Sequence, residues 1–336
     1  MRVLVTGGAG FIGSNLAYSL LSRGDEVTIY DNLSRNMVKN NLKWLKENTG
    51  PGKLEVIIDD VRNRDNLDHA IKNKDVIFHL AAQTSVTRSI QNPIDDFEVN
   101  TIGAINLLER VRKYNPEAII LYSSTNKVYG SMENLKIGQS GVDESYPLDF
   151  NSPYACSKGS ADQYFLDYGR TYVLNTVVFR QSCIYGTRQF GTEDQGWVMH
   201  FLKKILQGEK INIYGNGKQI RDILYIDDLI SCYLLALSKQ SFSTNKINGP
   251  KGNKIKGSVY NIGGGSENTV SLIELIKIIE KRLKKKANYS FKESRLGDQK
   301  IFFCDNKKAY QELDWEPKIG ITEGLNKLYE WVAEII

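Results

Sequence analysis

A glycine-rich stretch, Thr6-Gly7-Gly8-Ala9-Gly10-Phe11-Ile12-Gly13, limits what this chain can fold into more than any other feature. It follows a short apolar run at Val3–Thr6 and opens an amphipathic segment, with Gly7, Gly10 and Gly13 recurring at every third position. Glycines so spaced suit a tight strand-to-helix turn whose backbone can approach a pyrophosphate, with the helix N-terminus pointing its free N–H groups at the anion. A second apolar run ends at Tyr30-Asp31, eighteen residues beyond Gly13. A carboxylate at that point receives hydrogen bonds from ribose hydroxyls of a dinucleotide. The expected beginning is therefore a strand–helix–strand unit that holds a dinucleotide.

The rest of the first half continues the alternation. Apolar runs at Val27–Tyr30, Leu54–Ile58, Val76–His79, Ala118–Tyr122 and Asn175–Arg180 read as buried strands, separated by segments of helical period or polar linkers. Parallel neighbours need crossover connections, so the pattern predicts an α/β Rossmann fold, a doubly wound parallel sheet covered on both faces. Length supports a second unit, since 336 residues is about two domains' worth. We expect a Rossmann domain over 1–180 with a return segment near 211–240, and a smaller mixed α/β substrate-binding lobe over 181–336. That lobe would contain the strand Val259–Ile262 and helices near Trp197–Leu206, Ser271–Leu283, Asn306–Leu313 and Thr322–Ala333; the Ser-, Asn-, Gly- and Lys-rich stretch 239–257 reads as a surface insertion.

Charge and cysteine usage narrow the function classes. The 44 Lys and Arg against 39 Asp and Glu leave a net charge of +5, and the densest basic run, Lys281 to Lys286, falls at the C-terminal end of a helical segment, where cations oppose the helix dipole. It reads as a solvated helix end, so no nucleic-acid partner is expected. Cys156, Cys183, Cys232 and Cys304 stand singly, without the paired spacing of a zinc site or disulfide framework. Neither a signal-like start nor an apolar run of about 18 residues is found. The expectation is a cytoplasmic protein without membrane association and without a metal.

The dinucleotide site is expected to draw Gly7, Gly10, Phe11, Ile12 and Gly13 from the first turn and Asp31, Asn32, Ser34 and Arg35 from the end of the second strand. Asp60 and Val61 follow the third strand, Leu80, Ala81, Ala82 and Gln83 the fourth, and Asn100 and Ser123 complete the set. All lie toward the carboxyl edge, where open α/β sheets bind ligands. Asp31 would repel a 2′-phosphate and so favours NAD over NADP, while the nearby cation of Arg35 keeps NADP open. His79, at the end of an apolar strand, is read as structural.

Ser152-Pro153-Tyr154-Ala155-Cys156-Ser157-Lys158 places Tyr154 and Lys158 four apart on one helix face. An ammonium near a phenol lowers its pKa, making tyrosine usable as a base toward a sugar hydroxyl, and Tyr154 and Lys158 also border the expected cofactor site. Tyr122-Ser123-Ser124-Thr125-Asn126-Lys127-Val128-Tyr129-Gly130 brings hydroxyls to a strand's carboxyl end, where Thr125 can hold the reacting oxygen beside Tyr154. The candidate catalytic set is Thr125, Tyr154 and Lys158.

The strings TGGAGFIG, YSSTNKVYG and YACSK resemble the extended short-chain dehydrogenase/reductase family, within its nucleotide-sugar epimerase and dehydratase group, over nearly the whole chain. The resemblance implies tightly bound NAD and a nucleotide-diphosphate sugar held by Thr125, Asn126, Gln181, Ser182, Arg188, Gln195, Gly196, Arg221 and Arg295, the last two gripping the diphosphate. Dehydratases of the group carry Asp-Glu after the threonine; here Asn126 and Lys127 stand there, and a cation cannot serve as the carboxylate base. SSTNKVYG, with DNLSR, LDFNSPYACSKG and DQGWV, is similar to the CDP-tyvelose (CDP-paratose) 2-epimerase subfamily. This implies oxidation of a sugar carbon to a transient ketone and return of the hydride to its opposite face, favouring a CDP-sugar with a UDP-sugar open. A UDP-sugar 4-epimerase, an NAD(P)-dependent oxidoreductase and an idle sugar-nucleotide binder are the alternatives. Two departures touch the sugar side: Cys183 stands where relatives often have Asn or another small polar residue, and the loop between Gly130 and Leu148 is shorter than in the subfamily. The family commonly pairs through two long helices, implying a homodimer or homotetramer through segments around Asp95–Tyr114 and Tyr154–Tyr172.

Overall fold

Seven parallel strands form the central sheet of the computed structural model, which describes residues 1–35, 37–132, 140–243, 257–295 and 297–335. The first six are β1 (Arg2–Thr6), β2 (Glu26–Tyr30), β3 (Lys53–Ile57), β4 (Val76–His79), β5 (Ile119–Thr125) and β6 (Asn175–Gln181). They lie in the order β3-β2-β1-β4-β5-β6, with Ser258–Ile262 beyond β6 as the seventh. The order reverses between β1 and β4, so the crevice at their carboxyl ends is the switch point where such sheets take ligands. The central strands are buried on both faces: Val3, Leu4, Val5, Ile77, Phe78, Ile120, Val177 and Val178 have almost no exposed surface. This is why they read as continuous apolar runs rather than alternating ones.

The seventh strand corrects the expected partition. The sequence pattern places Val259–Ile262 in the second lobe, but it pairs with β6, Val259 opposite Val178 and Ile262 opposite Gln181. The return segment is likewise split. The helix Ile226–Ser243 comes back onto the sheet, Tyr233 packing 5.4 Å from Phe78 and 5.1 Å from Phe179 between ring centroids. The strands Lys210–Tyr214 and Ile220–Tyr225 stay in the second lobe, pairing respectively with Asn288–Lys292 and with Cys183–Tyr185, Thr269–Ser271 and Ile301–Phe302. Residues 244–256 of the expected insertion, and 133–139 of the loop after Gly130, lie outside the described residues. Among the described residues no helix is long and apolar enough to cross a membrane. The basic run ends the helix Leu272–Leu283, with Lys281, Arg282, Lys284, Lys285 and Lys286 exposed as expected.

The helix Pro153–Thr171 starts where its sequence dictates. Ser152 accepts a hydrogen bond from the Ala155 backbone N–H at 3.1 Å, and Pro153 fills the first turn, where no N–H is needed. A buried ion pair fixes how it sits. Arg180 of β6 donates from Nε and Nη2 to the two carboxylate oxygens of Asp162, both at 2.9 Å, and Ser124 of β5 donates to the same carboxylate at 2.7 Å. Asp162 is fully buried and Arg180 is 4% exposed. The other helix expected to be long is interrupted. Pro93–Phe97 and Gly103–Tyr114 are joined by a wide π-type turn at Glu98–Ile102.

Asp162→Ala, which strands the buried guanidinium, is expected to lower unfolding stability by about 3–5 kcal/mol in urea titrations. Removing both charges as Asp162→Leu with Arg180→Met is expected to recover a substantial part of that loss.

Candidate active site

The three glycines of the first turn have separate jobs. Gly7 has φ +70°, and a Cβ on it would lie 2.7 Å from the Ala81 backbone nitrogen; a Cβ on Gly13 would lie 2.2 Å from the Gly7 carbonyl oxygen. Both are required for packing of the turn against β4 and the helix α1 (Phe11–Ser22). Gly10 differs. It has φ −68°, a conformation any residue adopts, and a Cβ on it would meet only the Gly7 carbonyl oxygen, at 3.1 Å. Its bare Cα therefore leaves open space at the start of α1, whose first N–H groups receive no side-chain cap. A pyrophosphate fits that combination of open backbone and unpaired donors.

Asp31 closes the other side of this turn. Its Oδ2 accepts from the Ala9 N–H at 3.0 Å and its Oδ1 from the Leu33 N–H at 2.8 Å. Burial pushes its carboxyl up, against those backbone bonds, which pull it down. Asn32 donates to Asp60 at 2.8 Å, and paired hydrogen bonds from Arg62 hold the Asp60 carboxyl down at about 2.

A cleft of about 1020 Å³ runs along the carboxyl edge, at the upper end of small-molecule sites. Of the expected cofactor residues, Gly7, Gly10, Phe11, Ile12, Gly13, Asp31, Asn32, Ser34, Arg35, Asp60, Val61, Leu80, Ala81, Ala82, Gln83 and Ser123 all line it. Asn100 does not. From the π-type turn it clamps the backbone of Gln83, accepting from its N–H at 2.9 Å and donating to its carbonyl at 3.0 Å, so it acts on the wall from behind. Arg35 lines the cleft but turns from the ribose end, its Nη1 donating to Thr84 Oγ1 and Gln195 Oε1.

Thr125, Tyr154 and Lys158 line the same cleft. Lys158 Nζ donates to the Ser123 carbonyl at 2.5 Å and lies 4.3 Å from the Tyr122 ring centroid. Burial brings its ammonium down to about 7, with Asp162 and Asp96 acting to hold it up. Burial pushes the Tyr154 phenol up to about 12, a hydrogen bond with Thr125 and the charge of Arg35 pull it down, and Asp96 pushes it further up. Behind them Asp96 accepts from Gln83 Nε2 at 2.7 Å and Ser157 Oγ at 2.6 Å. His79 is buried beside Thr6 Oγ1 at 2.8 Å and its imidazole is pushed down to about 3, so it is neutral and structural as read from sequence.

The substrate-side expectations divide. Thr125, Gln181, Ser182, Arg188 and Gln195 line the cleft; Asn126, Gly196, Arg221 and Arg295 do not. Asn126 is buried against Gln299, and Gly196 (φ +76°) precedes the helix Trp197–Gln207. The Arg221 guanidinium is paired with Asp298 at 2.8 Å, and Arg295 lies 3.8 Å from the Tyr214 ring centroid while donating to the Glu193 carbonyl. Arg188 stacks at 3.8 Å on Trp44. Sequence reading missed Asn41, which donates to the carbonyls of Ala9 and Arg188 at 3.2 Å and so ties the glycine turn to the second lobe. It also missed Thr84 and Asp96, because a lone polar residue in a helix or loop carries no motif.

Gly10→Ala is expected to fold with near-native thermal stability yet weaken dinucleotide binding by about tenfold or more, read by calorimetric titration. Gly13→Ala is expected to lose both stability and binding, because its Cβ has nowhere to go.

The chain is 44% identical to the CDP-paratose 2-epimerase of Salmonella typhi over 100% of both chains. It is 34% identical to the putative UDP-glucose 4-epimerase of Methanocaldococcus jannaschii over 98% of each. Among solved structures, the UDP-glucuronic acid 4-epimerase of Bacillus cereus in complex with UDP-glucuronic acid and NAD superposes with a TM-score of 0.85 at 29% identity, covering 100% of both chains. The UDP-glucose 4-epimerase of Thermus thermophilus in complex with NAD gives 0.84 at 29% identity, again over 100% of both. The model of the GDP-mannose 4,6 dehydratase family matches residues 4–328, and the chain belongs to that family.

Proposed function

We propose that the protein is an NAD-dependent epimerase of a nucleotide-diphosphate sugar, inverting C2 of CDP-paratose. One observation carries the reading: Tyr154, Thr125 and Lys158 border the same cleft as the glycine turn and Asp31, so a sugar hydroxyl and a dinucleotide can meet there. The full-length 44% identity to a CDP-paratose 2-epimerase supports the choice of sugar. Gly7, Gly10, Gly13 and the start of α1 would hold the pyrophosphate, and Asp31 the adenosine ribose. When bound, NAD supplies a hydride acceptor that can return the hydride, with a positively charged ring in its oxidised form.

Tyr154 takes the proton from the sugar hydroxyl as that carbon is oxidised and gives it back on reduction. Its high resting pKa makes it a competent donor in the return step and demands help in the first. Thr125, hydrogen-bonded to Tyr154, orients the reacting oxygen, and Lys158 holds the Ser123 strand end beside them. Inversion requires the planar ketone to offer its other face, so the nucleotide stays anchored while the sugar turns. Lys127 argues against elimination of water. It stands where dehydratases of the group carry a carboxylate, lies 3.4 Å from the Gly297 carbonyl and 3.8 Å from Asp298, and although burial brings it down to about 8 it is mostly cationic at neutral pH.

The relatives that act on UDP-sugars favour one second reading, C4 inversion of a UDP-sugar. The deciding experiment incubates the purified protein, with no cofactor added, with CDP-paratose and with UDP-glucose in deuterated water, followed by NMR. Inversion at C2 of the CDP-sugar without deuterium uptake is expected, and Tyr154→Phe is expected to lose on the order of 10²–10⁴ in rate. Inversion of UDP-glucose alone would replace the first reading by the second. Turnover only with added NAD(P), reduced stoichiometrically, would overturn both in favour of an oxidoreductase.

A further inference from the structure

Arg35 leaves β2 four residues after Asp31, and sequence reading assigns it to the cofactor. Its guanidinium goes elsewhere. Nη1 donates both to Thr84, one residue past the clamped Gln83, and to Gln195 of the second lobe. Gln195 belongs to a turn closed by its own backbone, the Thr192 N–H donating to the Gln195 carbonyl at 2.8 Å, just before the helix Trp197–Gln207. Asp194 of that turn also reaches across. It is hydrogen-bonded to the buried Ser85 and feels the charge of Arg35, which together with a Thr192 hydrogen bond pull its carboxyl down against burial. Two distant segments therefore meet on one guanidinium that lines the cleft.

The same cation lines the cleft that Tyr154 lines, and its charge favours the ionised phenol. The groups facing that hydroxyl are Thr125 and Tyr122 from β5, Asp96 from the helix Pro93–Phe97, Arg35 from the segment after β2, and Lys158 one turn along its own helix. Thr125 and Arg35 favour its ionised form, whereas Asp96 opposes it. Lys158 is occupied with the Ser123 carbonyl.

We propose that Arg35 is a positioning residue for the sugar chemistry rather than a cofactor ligand, drawing the Thr192–Gln195 turn onto the Thr84 wall and presenting its charge to the Tyr154 hydroxyl. The electrostatic half rests on Tyr154 being the base; the clamp does not. A guanidinium suits the double role, since the two N–H bonds of one Nη can reach two acceptors while the delocalised charge is retained.

The test compares wild type with Arg35→Gln, Arg35→Lys and Gln195→Ala. Arg35→Gln should move the acid limb of kcat/KM to higher pH by about one unit, because loss of a nearby cation raises the phenol's pKa. Its KM should rise roughly tenfold, the scale of a lost charge-assisted hydrogen bond. Arg35→Lys should restore the limb while leaving KM high, and Gln195→Ala should raise KM without moving the limb. Amide hydrogen exchange of residues 192–195 should speed up in both Arg35→Gln and Gln195→Ala. A limb in Arg35→Gln that coincides with wild type, or one that Gln195→Ala moves equally, overturns the electrostatic role. Unchanged exchange overturns the clamp. Absence of turnover in wild type on either sugar nucleotide refutes the proposed base and with it the electrostatic role, while exchange still decides the clamp.

Discussion

The buried pair between Asp162 and Arg180 is the constraint on which the site depends. Two charges so far from water are tolerable only when each satisfies the other, and here the fork of Arg180 meets both carboxylate oxygens. Tyr154, Lys158 and Asp162 are spaced by four, so they share one face of the helix Pro153–Thr171. Locking Asp162 to β5 and β6 therefore sets the rotation of the helix and aims Lys158 at the Ser123 carbonyl. Arg180 extends the lock outward: its Nη1 donates to Tyr129 at 3.0 Å, and Tyr129 donates to Asn261 of the seventh strand at 2.7 Å. The chemistry is held by charge that never touches the cleft.

A second layer of amides holds the walls. Asn100 pins Gln83, Asn41 joins Ala9 to Arg188, and Asn15 donates to the carbonyls of Phe11 and Thr187 at 2.9 and 3.0 Å. Asn41 and Asn15 each link backbone from two segments and Asn100 fixes both backbone groups of Gln83, so the glycine turn, the exit of β4 and the second lobe stay in register without a continuous sheet. The second lobe is organised by its own buried carboxylate. Asp222 accepts from Ser182, from the Cys304 N–H at 3.2 Å and from the Gly265 N–H at 3.2 Å, which places Ser182 at the cleft.

What could be read from sequence was local. The glycine spacing, Asp31 and the Tyr154/Lys158 pair each follow from residues within one turn or one strand–helix unit, and they line the cleft as expected. Ser258–Ile262 could not be placed that way, because its apolar pattern fits either lobe and only its pairing with β6 decides. Asn100 read as a cofactor residue from its place in the chain, yet the π-type turn rotates it behind the wall. Helical spacing puts Lys158 on the face of Tyr154, but only the fold shows that its ammonium donates to the Ser123 carbonyl. Arg221 and Arg295 are cations in the right lobe whose partners, Asp298 and Glu193, lie far along the chain.

The ribose end shows why cofactor choice depends on backbone as much as on side chains. Asp31 is held by N–H groups of the glycine turn and of its own loop, so its position is set by the same backbone that receives the pyrophosphate. Both oxygens retain acceptor capacity for hydroxyls, and a carboxylate there is repulsive to a 2′-phosphate. The cation that sequence alone left available to such a phosphate is Arg35, and its guanidinium is committed to Thr84 and Gln195. Accepting NADP would require breaking that bridge and turning the arginine back toward a carboxylate pinned in place. The preference for NAD thus follows from where Arg35 goes as well as from the presence of Asp31.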